Sequence, residues 1–424
     1  MHAVVAPHLS AAPAHRVART VVTVTDAEGR PVPDAEVTVA QSRHAFGFGN
    51  IAFDLIPLAN GEGEVRDVGF GGASAHLERL ADLWLDVFNI GTLPFYWRTF
   101  EPERGAPDTA RLLQTARWLA ERGVTVKGHP LVWHTLTPSW LDDVPLDKLA
   151  SVIRSRIVRE VTDFAGVIDT WDAINEVVIM PVFEAEPNAV TRLAARDGQI
   201  AMVKLAFETA REANPNATLL LNDFNMSPAY ERLVEECLEA GVQIDALGLQ
   251  SHMHQGYWGE EKTLDVLERF SRFGLPLHLT ETTLLSGHLM PPEIVDLNDY
   301  QIPEWPSTPE GEARQADEVE RHYRTLFRHP AVQASTYWGL TDDGGWLGAP
   351  GGLVRADGTP KPSYDALRRL VKEEWWTPET VVRTDAEGRF ALEGFLGEYA
   401  VTSADGAASL TLAADGAAVE AGLG

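Results

Sequence analysis

Eight short apolar segments recur along the middle of the chain, and longer amphipathic stretches separate them. The segments are apolar on both faces rather than alternating, which is typical of strands that helices cover on one side and an interior fills on the other. They occupy residues 45–49, 87–90, 124–129, 167–175, 218–222, 246–250, 275–280 and 334–338. Eight strands are enough to close a barrel.

The intervening stretches show the helical period. In residues 75–84 and 111–120, apolar side chains recur three and four positions apart. Alternation of strand and helix favours a parallel sheet. We therefore predict a (β/α)8 TIM barrel, which belongs to the α/β class, over residues 43–375.

Both ends of the chain have a different pattern. Residues 20–25 and 35–40 alternate with period two around a turn-rich stretch, which predicts an antiparallel hairpin. Further short strands are predicted within 381–392, 398–402 and 408–412. Because two or three strands are barely stable alone, we predict one small discontinuous β-sandwich domain from residues 19–42 and 376–424, after a flexible N-terminus over residues 1–18.

Charge and composition limit the partners. The 424 residues carry a formal net charge of −27, which repels phosphate backbones and anionic lipids. We therefore expect no nucleic-acid partner and no membrane partner. The first twenty residues lack a signal-like pattern, so the expected location is cytoplasmic, or secreted where a leader has been removed. The pattern leaves the oligomeric state open.

Two of the apolar segments end in glutamate, at Glu176 and Glu281. Glycoside cleavage needs one carboxyl group to protonate the departing oxygen and a second group to act at the anomeric carbon. Active sites of (β/α)8 barrels lie at the carboxyl ends of the strands. The two glutamates are therefore predicted to form a catalytic pair that acts on a carbohydrate or glycoside substrate.

Five sequence blocks resemble glycoside hydrolase family 10, the xylanase family, and the similarity spans residues 43–373. The blocks are 127–134 with 138–140, 171–176, 248–252, 280–281, and 337–342 with Trp346 beyond. The resemblance implies a retaining double displacement in which Glu176 is the acid/base and Glu281 is the nucleophile. It implies no cofactor and no metal.

The same resemblance implies further roles in substrate binding. Asn175 would bind the sugar 2-hydroxyl, Gln250 and His252 would orient Glu281, and Trp338 and Trp346 would form apolar platforms, because sugar rings pack on aromatic faces. The complete predicted substrate-binding set is His129, Trp133, Asn175, Gln250, His252, Trp338, Trp346, Tyr96 and Trp97.

Two departures from the family pattern affect specificity. Family members carry a Glu-Asn pair and a Lys before the Trp that follows the second strand, whereas this chain has Thr92, Leu93 and Tyr96 there. Thr283 stands where an Asp commonly partners the histidine of the sixth strand, His252. These changes predict an altered glycone subsite, so a mono- or disaccharide-releasing β-glycosidase that acts on plant glycosides is an alternative to a xylanase.

Two other readings stay open at this point. His129, His134, His252, His254 and Glu281 are possible ligands of a metal-dependent hydrolase. The end segments are similar to the transthyretin-like or carboxypeptidase-regulatory β-sandwich, through a turn at residues 385–390, and such accessory modules also suit a noncatalytic carbohydrate-binding protein.

Overall fold

The computed structural model describes residues 3–7, 9–62 and 75–423. Sixteen strands lie within these residues. They are β1 (Ala3–Val5), β2 (Val17–Thr25), β3 (Glu36–His44), β4 (Gly47–Ile51), β5 (Ile90–Pro94), β6 (Thr125–His129), β7 (Thr170–Asn175), β8 (Thr218–Asp223), β9 (Ala246–His252), β10 (Leu277–Thr283), β11 (Val332–Tyr337), β12 (Thr380–Arg383), β13 (Arg389–Phe395), β14 (Gly397–Ser403), β15 (Gly406–Leu412) and β16 (Val419–Gly422).

Helices follow most strands in the middle of the chain. They are α1 (Ile56–Asn60), α2 (Leu77–Val87), α3 (Trp97–Phe100), α4 (Thr109–Ala120), α5 (Leu146–Asp163), α6 (Ala189–Asp197), α7 (Gln199–Ala213), α8 (Pro228–Glu239), α9 (Gly259–Ser271), α10 (Pro309–Arg328) and α11 (Pro362–Arg369). Among the described residues, none of the helices has the length and apolar character that a membrane crossing requires.

Strands β4 to β11 form a closed barrel in which every neighbouring pair is parallel. The predicted (β/α)8 barrel is confirmed. The strand predicted over residues 87–90 was placed too early in the chain, because Val87 still belongs to α2 and the strand β5 begins at Ile90. The apolar run spans a buried helix end and a strand start, and periodicity does not separate the two.

Close packing supports the strands that carry the site. The indole of Trp171 on β7 lies against Gly128 of β6, where a Cβ atom would stand 2.1 Å from the ring. The same indole meets the rings of Phe95 at 4.8 Å and Phe164 at 6.2 Å, both edge to face. Such aromatic pairs stabilise the contact beyond their buried area, so β6 and β7 are held in one register.

The two ends of the chain form a second compact unit, residues 1–47 with 365–424, while residues 48–364 form the barrel unit. The end unit has two four-stranded sheets, in the orders β1-β13-β2-β16 and β12-β3-β14-β15. Alternate apolar residues of both sheets share one core, which includes Val22, Val24, Val37, Val39, Phe390, Leu392, Tyr399 and Val401. The division at 47/48 and 364/365 differs from the predicted boundaries at 42/43 and 375/376 by five and eleven residues.

The predicted hairpin of residues 20–25 and 35–40 was wrong. Strand β2 pairs with β13 and β16, whereas β3 pairs with β12 and β14. Alternation indicates which face of a strand is buried and does not identify its partner. The N-terminus also differs from the flexible segment predicted for residues 1–18, since Ala3–Val5 pairs with Ala391–Glu393 of β13.

An identical sequence forms the two turns that lead from one sheet of the end unit to the other, at residues 25–30 and 384–389. In both, an aspartate Oδ1 accepts the N–H groups of the residues two and four positions on, at 2.9–3.0 Å. The glycines at 29 and 388 adopt φ values of 77° and 74°, which favour glycine. The turn-rich stretch after β2 is therefore a crossing between sheets.

Candidate active site

Both glutamates lie at the carboxyl ends of barrel strands. Glu176 directly follows β7 and adopts a φ of 59°, in the left-handed region. Its N–H donates to the carbonyl of Asn222 at 2.8 Å. Glu281 lies in β10, where the pairing with β9 shifts register after Leu279. Strained backbone and bulges of this kind re-aim side chains at functional sites, and here they accompany the two carboxylates.

A chain of side-chain amides links the two carboxylates. Asn222 donates one Nδ2 hydrogen to Asn175 Oδ1 at 2.7 Å and the other to Glu281 Oε1 at 2.8 Å. Gln250 donates to the same Asn175 Oδ1 and to Glu176 Oε1, both at 3.1 Å. The residues come from β7, β8, β9 and β10, so four consecutive strands build one polar network. Asn222 was not predicted, although it ends one of the predicted strands.

The environment of Glu176 favours a protonated carboxyl group. Burial raises its pKa, and the negative charge of Glu281 raises it further, while hydrogen bonds from Trp133 and Gln250 oppose both effects. The indole N–H of Trp133 lies 2.8 Å from Glu176 Oε2. The outcome is a pKa of about 8. A carboxyl group with such a value still holds its proton at neutral pH.

Glu281 has the opposite electrostatic character. Burial alone would raise its pKa, but the imidazoles of His129 and His252 outweigh that effect and hold the pKa below its ordinary value. His252 Nε2 lies 3.1 Å from Glu281 Oε2, and His129 Nε2 lies 4.0 Å from Oε1. Together with the hydrogen bond from Asn222, these contacts favour an ionised carboxylate.

Each of the two histidines is oriented through its other ring nitrogen. His129 Nδ1 lies 2.7 Å from Asp172 Oδ2, and Lys127 Nζ forms an ion pair with the same oxygen at 2.8 Å. His252 Nδ1 lies 3.0 Å from the hydroxyl of Thr283. Thr283, the residue that departs from the family pattern, is therefore itself the group that orients His252.

Aromatic rings surround this polar centre. The ring of His129 meets Tyr96 at 5.7 Å and Trp338 at 5.2 Å, in both cases edge to face. Trp346 lies in the loop after β11, with its ring 5.1 Å from that of His252. The structure thus brings these three predicted aromatic residues to the side chains around the carboxylates.

Trp97 is not brought into this network. It begins the short helix α3 and is 4% exposed. Its indole N–H donates to Glu101 at 2.9 Å, and the guanidinium of Arg156 lies 4.5 Å from its ring. These contacts lie away from the two carboxylates, and the binding role of Trp97 stays a prediction.

Two histidines of the metal-dependent reading pack against aromatic rings. His134 and His254 are buried, and burial lowers the pKa of each to about 3. The ring of His134 packs on Phe183 at 4.4 Å, and that of His254 packs on Trp346 at 5.0 Å. Within the described residues, no group of three or more His, Cys, Asp or Glu side chains has the arrangement of a metal site.

The positions that depart from the family on the second strand lie in the interior. Thr92 and Leu93 are 0% exposed. Tyr96 is also buried, and burial raises the pKa of its hydroxyl. These three positions present no charged group to a sugar.

Known proteins are similar to this chain over the barrel. A sequence model of glycosyl hydrolase family 10 matches residues 95–370, which is more than half of the chain. The protein named endo-1,4-beta-xylanase B of Thermotoga neapolitana is 27% identical over 294 residues, which are 66% of this chain and 78% of that protein. Anti-sigma-I factor RsgI6 of Acetivibrio thermocellus is 26% identical over 393 residues, which are 90% of this chain and 44% of that protein.

A solved structure shows the same fold. Xylanase 10B from Thermotoga petrophila RKU-1, in complex with xylobiose, superposes with a TM-score of 0.61 and 23% identity, over 77% of this chain and 95% of that chain. At this identity the likeness is one of fold. Because the family match extends over most of the barrel, this chain belongs to glycosyl hydrolase family 10 and is a xylanase-like glycoside hydrolase.

Proposed function

We propose that this protein hydrolyses β-glycosides with retention of configuration, with Glu176 as acid/base and Glu281 as nucleophile. The observation that carries the proposal is the amide network that joins the two carboxylates, in surroundings that raise the pKa of Glu176 and lower that of Glu281. At neutral pH one carboxyl group therefore holds a proton while its neighbour is ionised. A double displacement starts from this pair of states.

The charge of Glu281 controls the protonation of Glu176 in both steps of the double displacement. In the first step, Glu281 attacks the anomeric carbon while Glu176 gives its proton to the departing oxygen. The ester formed on Glu281 has lost the negative charge that raised the pKa of Glu176. Glu176, already a carboxylate after the first step, therefore stays ionised and takes a proton from the attacking water. The hydrolysis returns both groups to their starting states.

Asn175 is oriented for a single role. Its Oδ1 accepts hydrogen bonds from both Asn222 and Gln250, so its NH₂ group is the part that donates to substrate. A donor beside the acid/base suits the sugar 2-hydroxyl, a contact that strengthens in the oxocarbenium-like transition state.

His252 also holds the nucleophile through a hydrogen bond. Its Nε2 faces the Glu281 carboxylate, which only accepts, so Nε2 carries a hydrogen. Its Nδ1 faces the Thr283 hydroxyl, which can donate. A neutral imidazole therefore satisfies both partners, and a threonine suffices at position 283.

We further propose that short or modified β-glycosides, such as aryl glycosides of plant type, are better substrates than an unadorned xylan chain. The support is the buried and uncharged character of Thr92, Leu93 and Tyr96, at the places where the family contacts distal xylose units. The relatives named as endo-1,4-beta-xylanases make endo-xylanase action the alternative.

Trapping and stereochemistry test the mechanism. A 2-deoxy-2-fluoro aryl β-glycoside should leave one glycosyl unit on the protein in intact-mass measurements, with the label on the peptide that contains Glu281. The variant Glu281→Gln should show neither label nor turnover. Proton NMR of the first-formed sugar should show the β anomer, and an initial α anomer would overturn the retaining assignment.

Rates on a panel of aryl mono- and diglycosides, measured beside polymeric xylan, test the substrate proposal. A xylan rate that exceeds every glycoside rate would contradict it. A wild-type protein that binds these sugars without any turnover would support the noncatalytic reading instead.

A further inference from the structure

A further buried carboxylate lies beside the acid/base, outside the amide network described above. Asp223 is the last residue of β8, and its side chain is 0% exposed. Asn175 and Asn222 pair in register on β7 and β8, so Glu176 and Asp223 are the next residues at two neighbouring strand ends. The double displacement described above gives this carboxylate no role.

We propose that Asp223 is a positioning residue for the acid step, which holds the backbone directly after Glu176 and so directs the acid/base carboxyl group toward the departing oxygen. The inference rests on the proposed glycosidase function and deepens it, because it names a residue that acts on the reaction through Glu176. Its effect should therefore depend on how much the leaving group needs a proton.

The carboxylate of Asp223 holds two loops at once. Its Oδ1 accepts the N–H of Asn225 at 2.9 Å, which closes a local turn in the loop after β8. Its Oδ2 accepts the N–H of Val178 at 3.0 Å, and this bond crosses to the loop after β7, 45 residues away in sequence. Asp223 is therefore joined to the residue that lies two positions after Glu176.

The segment after Glu176 is also held through its carbonyl groups. Gln199, the first residue of α7, donates to the carbonyls of Val177 at 3.1 Å and Val178 at 2.9 Å. A non-glycine residue with the φ of 59° that Glu176 adopts is strained, and such a conformation persists only where its surroundings fix it. The contacts of the aspartate and of Gln199 provide that restraint, so the direction of the Glu176 side chain depends on them.

A carboxylate satisfies both loops, whereas an amide does not. Each partner is a backbone N–H, so both oxygens of the Asp223 side chain must accept. Asparagine has nearly the same shape but offers one oxygen and one NH₂ group. It would place a donor against the N–H of either Val178 or Asn225. Asp223→Asn is therefore expected to release one of the two loops.

The charge of Asp223 acts on the acid/base as well. Burial raises the pKa of Asp223 to about 6, although hydrogen bonds from the backbone N–H groups of residues 177, 178, 224 and 225 lower it. The group is therefore mostly ionised at neutral pH, and its negative charge adds to that of Glu281 in raising the pKa of Glu176. The hydroxyl of Tyr230 on α8 also faces this charge, and burial holds its pKa well above the ordinary value, so it stays neutral.

The test compares two aryl β-glycosides of the same sugar, using the full chain. A dinitrophenyl group departs without a proton, whereas an unsubstituted phenyl group needs the acid. We expect Asp223→Asn to lower kcat/KM by about tenfold or more for the phenyl glycoside and by less than about twofold for the dinitrophenyl glycoside. Asp169→Asn is the matched control, because Asp169 precedes β7 at its opposite end and also accepts a backbone N–H, that of Gly166 at 3.0 Å. It should leave both rates unchanged.

Two more measurements distinguish positioning from a general loss of structure. Removal of the negative charge in Asp223→Asn should move the alkaline limb of the kcat/KM profile to lower pH, because the pKa of Glu176 falls. In a Glu176→Gln background, Asp223→Asn should cost much less than in wild type, because its effect passes through the missing group. An alkaline limb that stays in place would contradict the charge contribution, and additive losses would contradict the positioning role.

The outcomes separate this inference from the proposed function. If wild type cleaves neither glycoside, the glycosidase assignment itself fails. If wild type cleaves both, and Asp223→Asn lowers both rates equally or changes neither, the positioning role fails while the mechanism stands. Should Asp223→Asn not fold, Gln199→Met removes the amide that holds the same segment. It should then show the same selective loss on the phenyl glycoside, and equal losses on both glycosides would overturn the inference.

Discussion

Replacing Glu176, the proposed acid/base, by its uncharged isostere glutamine should make the stability of the protein less dependent on pH. Burial and the charge of Glu281 raise the pKa of Glu176 from 4.5 to about 8 in the folded protein. Because this pKa is higher in the folded than in the unfolded protein, the contribution of Glu176 to stability is fully present below pH 4.5 and is lost as pH rises through about 8. A shift of about 3.5 pH units corresponds to about 5 kcal/mol. Glu176→Gln removes this loss.

The free energy of unfolding of Glu176→Gln, relative to that of wild type, should increase by about 3–5 kcal/mol from pH 5 to pH 9. Urea unfolding followed by tryptophan fluorescence suits the measurement, because most of the tryptophans lie in residues 48–364. Ser251→Ala, a buried substitution on strand β9 that involves no titrating group, is the control and should differ from wild type equally at each pH. A gap for Glu176→Gln that stays constant from pH 5 to pH 9 would refute the electrostatic account of the site.

Three further predictions concern the same centre and its support. The kcat/KM of wild type should fall on the alkaline side with an apparent pKa near 8, because Glu176 must be protonated to act as the acid; a pH–rate profile that stays flat through pH 9 would contradict this. Thr283→Val should lower kcat by about tenfold with a smaller change in KM, since His252 loses the hydroxyl 3.0 Å from its Nδ1, whereas Thr283→Ser should retain most activity. Lys361→Met should destabilise the fold by about 3–5 kcal/mol, because the mostly buried carboxylate of Asp342 would lose the ammonium that lies 2.7 Å from its Oδ1, and adding Asp342→Asn should recover part of that loss in denaturant unfolding.

The barrel was predictable because its signal is repeated. Eight segments that are apolar on both faces, with helical stretches between them, fit few folds other than a (β/α)8 barrel. One misplaced strand near Val87 therefore did not change the conclusion. The two-sheet end unit was harder, because period-two alternation predicts a buried face but not a partner strand. The parallel pairing of Ala3–Val5 with β13 joins residues far apart along the chain, which a local pattern does not indicate.

The site was predictable only where a residue's position along the chain determines its position in space. Glu176 and Glu281 end strands, and strand ends meet at one mouth. Asn222 was missed because its two partners are 47 and 59 residues away, and the local sequence does not indicate that one amide serves both. Trp97 was assigned to the site from its neighbours in sequence; its indole donates to Glu101 at the start of α3, and its binding role stays a prediction.

The side chains around the two carboxylates and the positions that depart from the family pattern lie on different strands of the ring. The side chains around the carboxylates come from five consecutive strands, β6 to β10, whereas Thr92 and Leu93 belong to β5. Thr92 pairs in register with Lys127, which still forms its ion pair with Asp172 and thereby supports His129. The departure on β5 leaves the ion pair of Lys127 and Asp172 in place. The chain can therefore differ from its family in sugar recognition while the groups around Glu176 and Glu281 keep their environment.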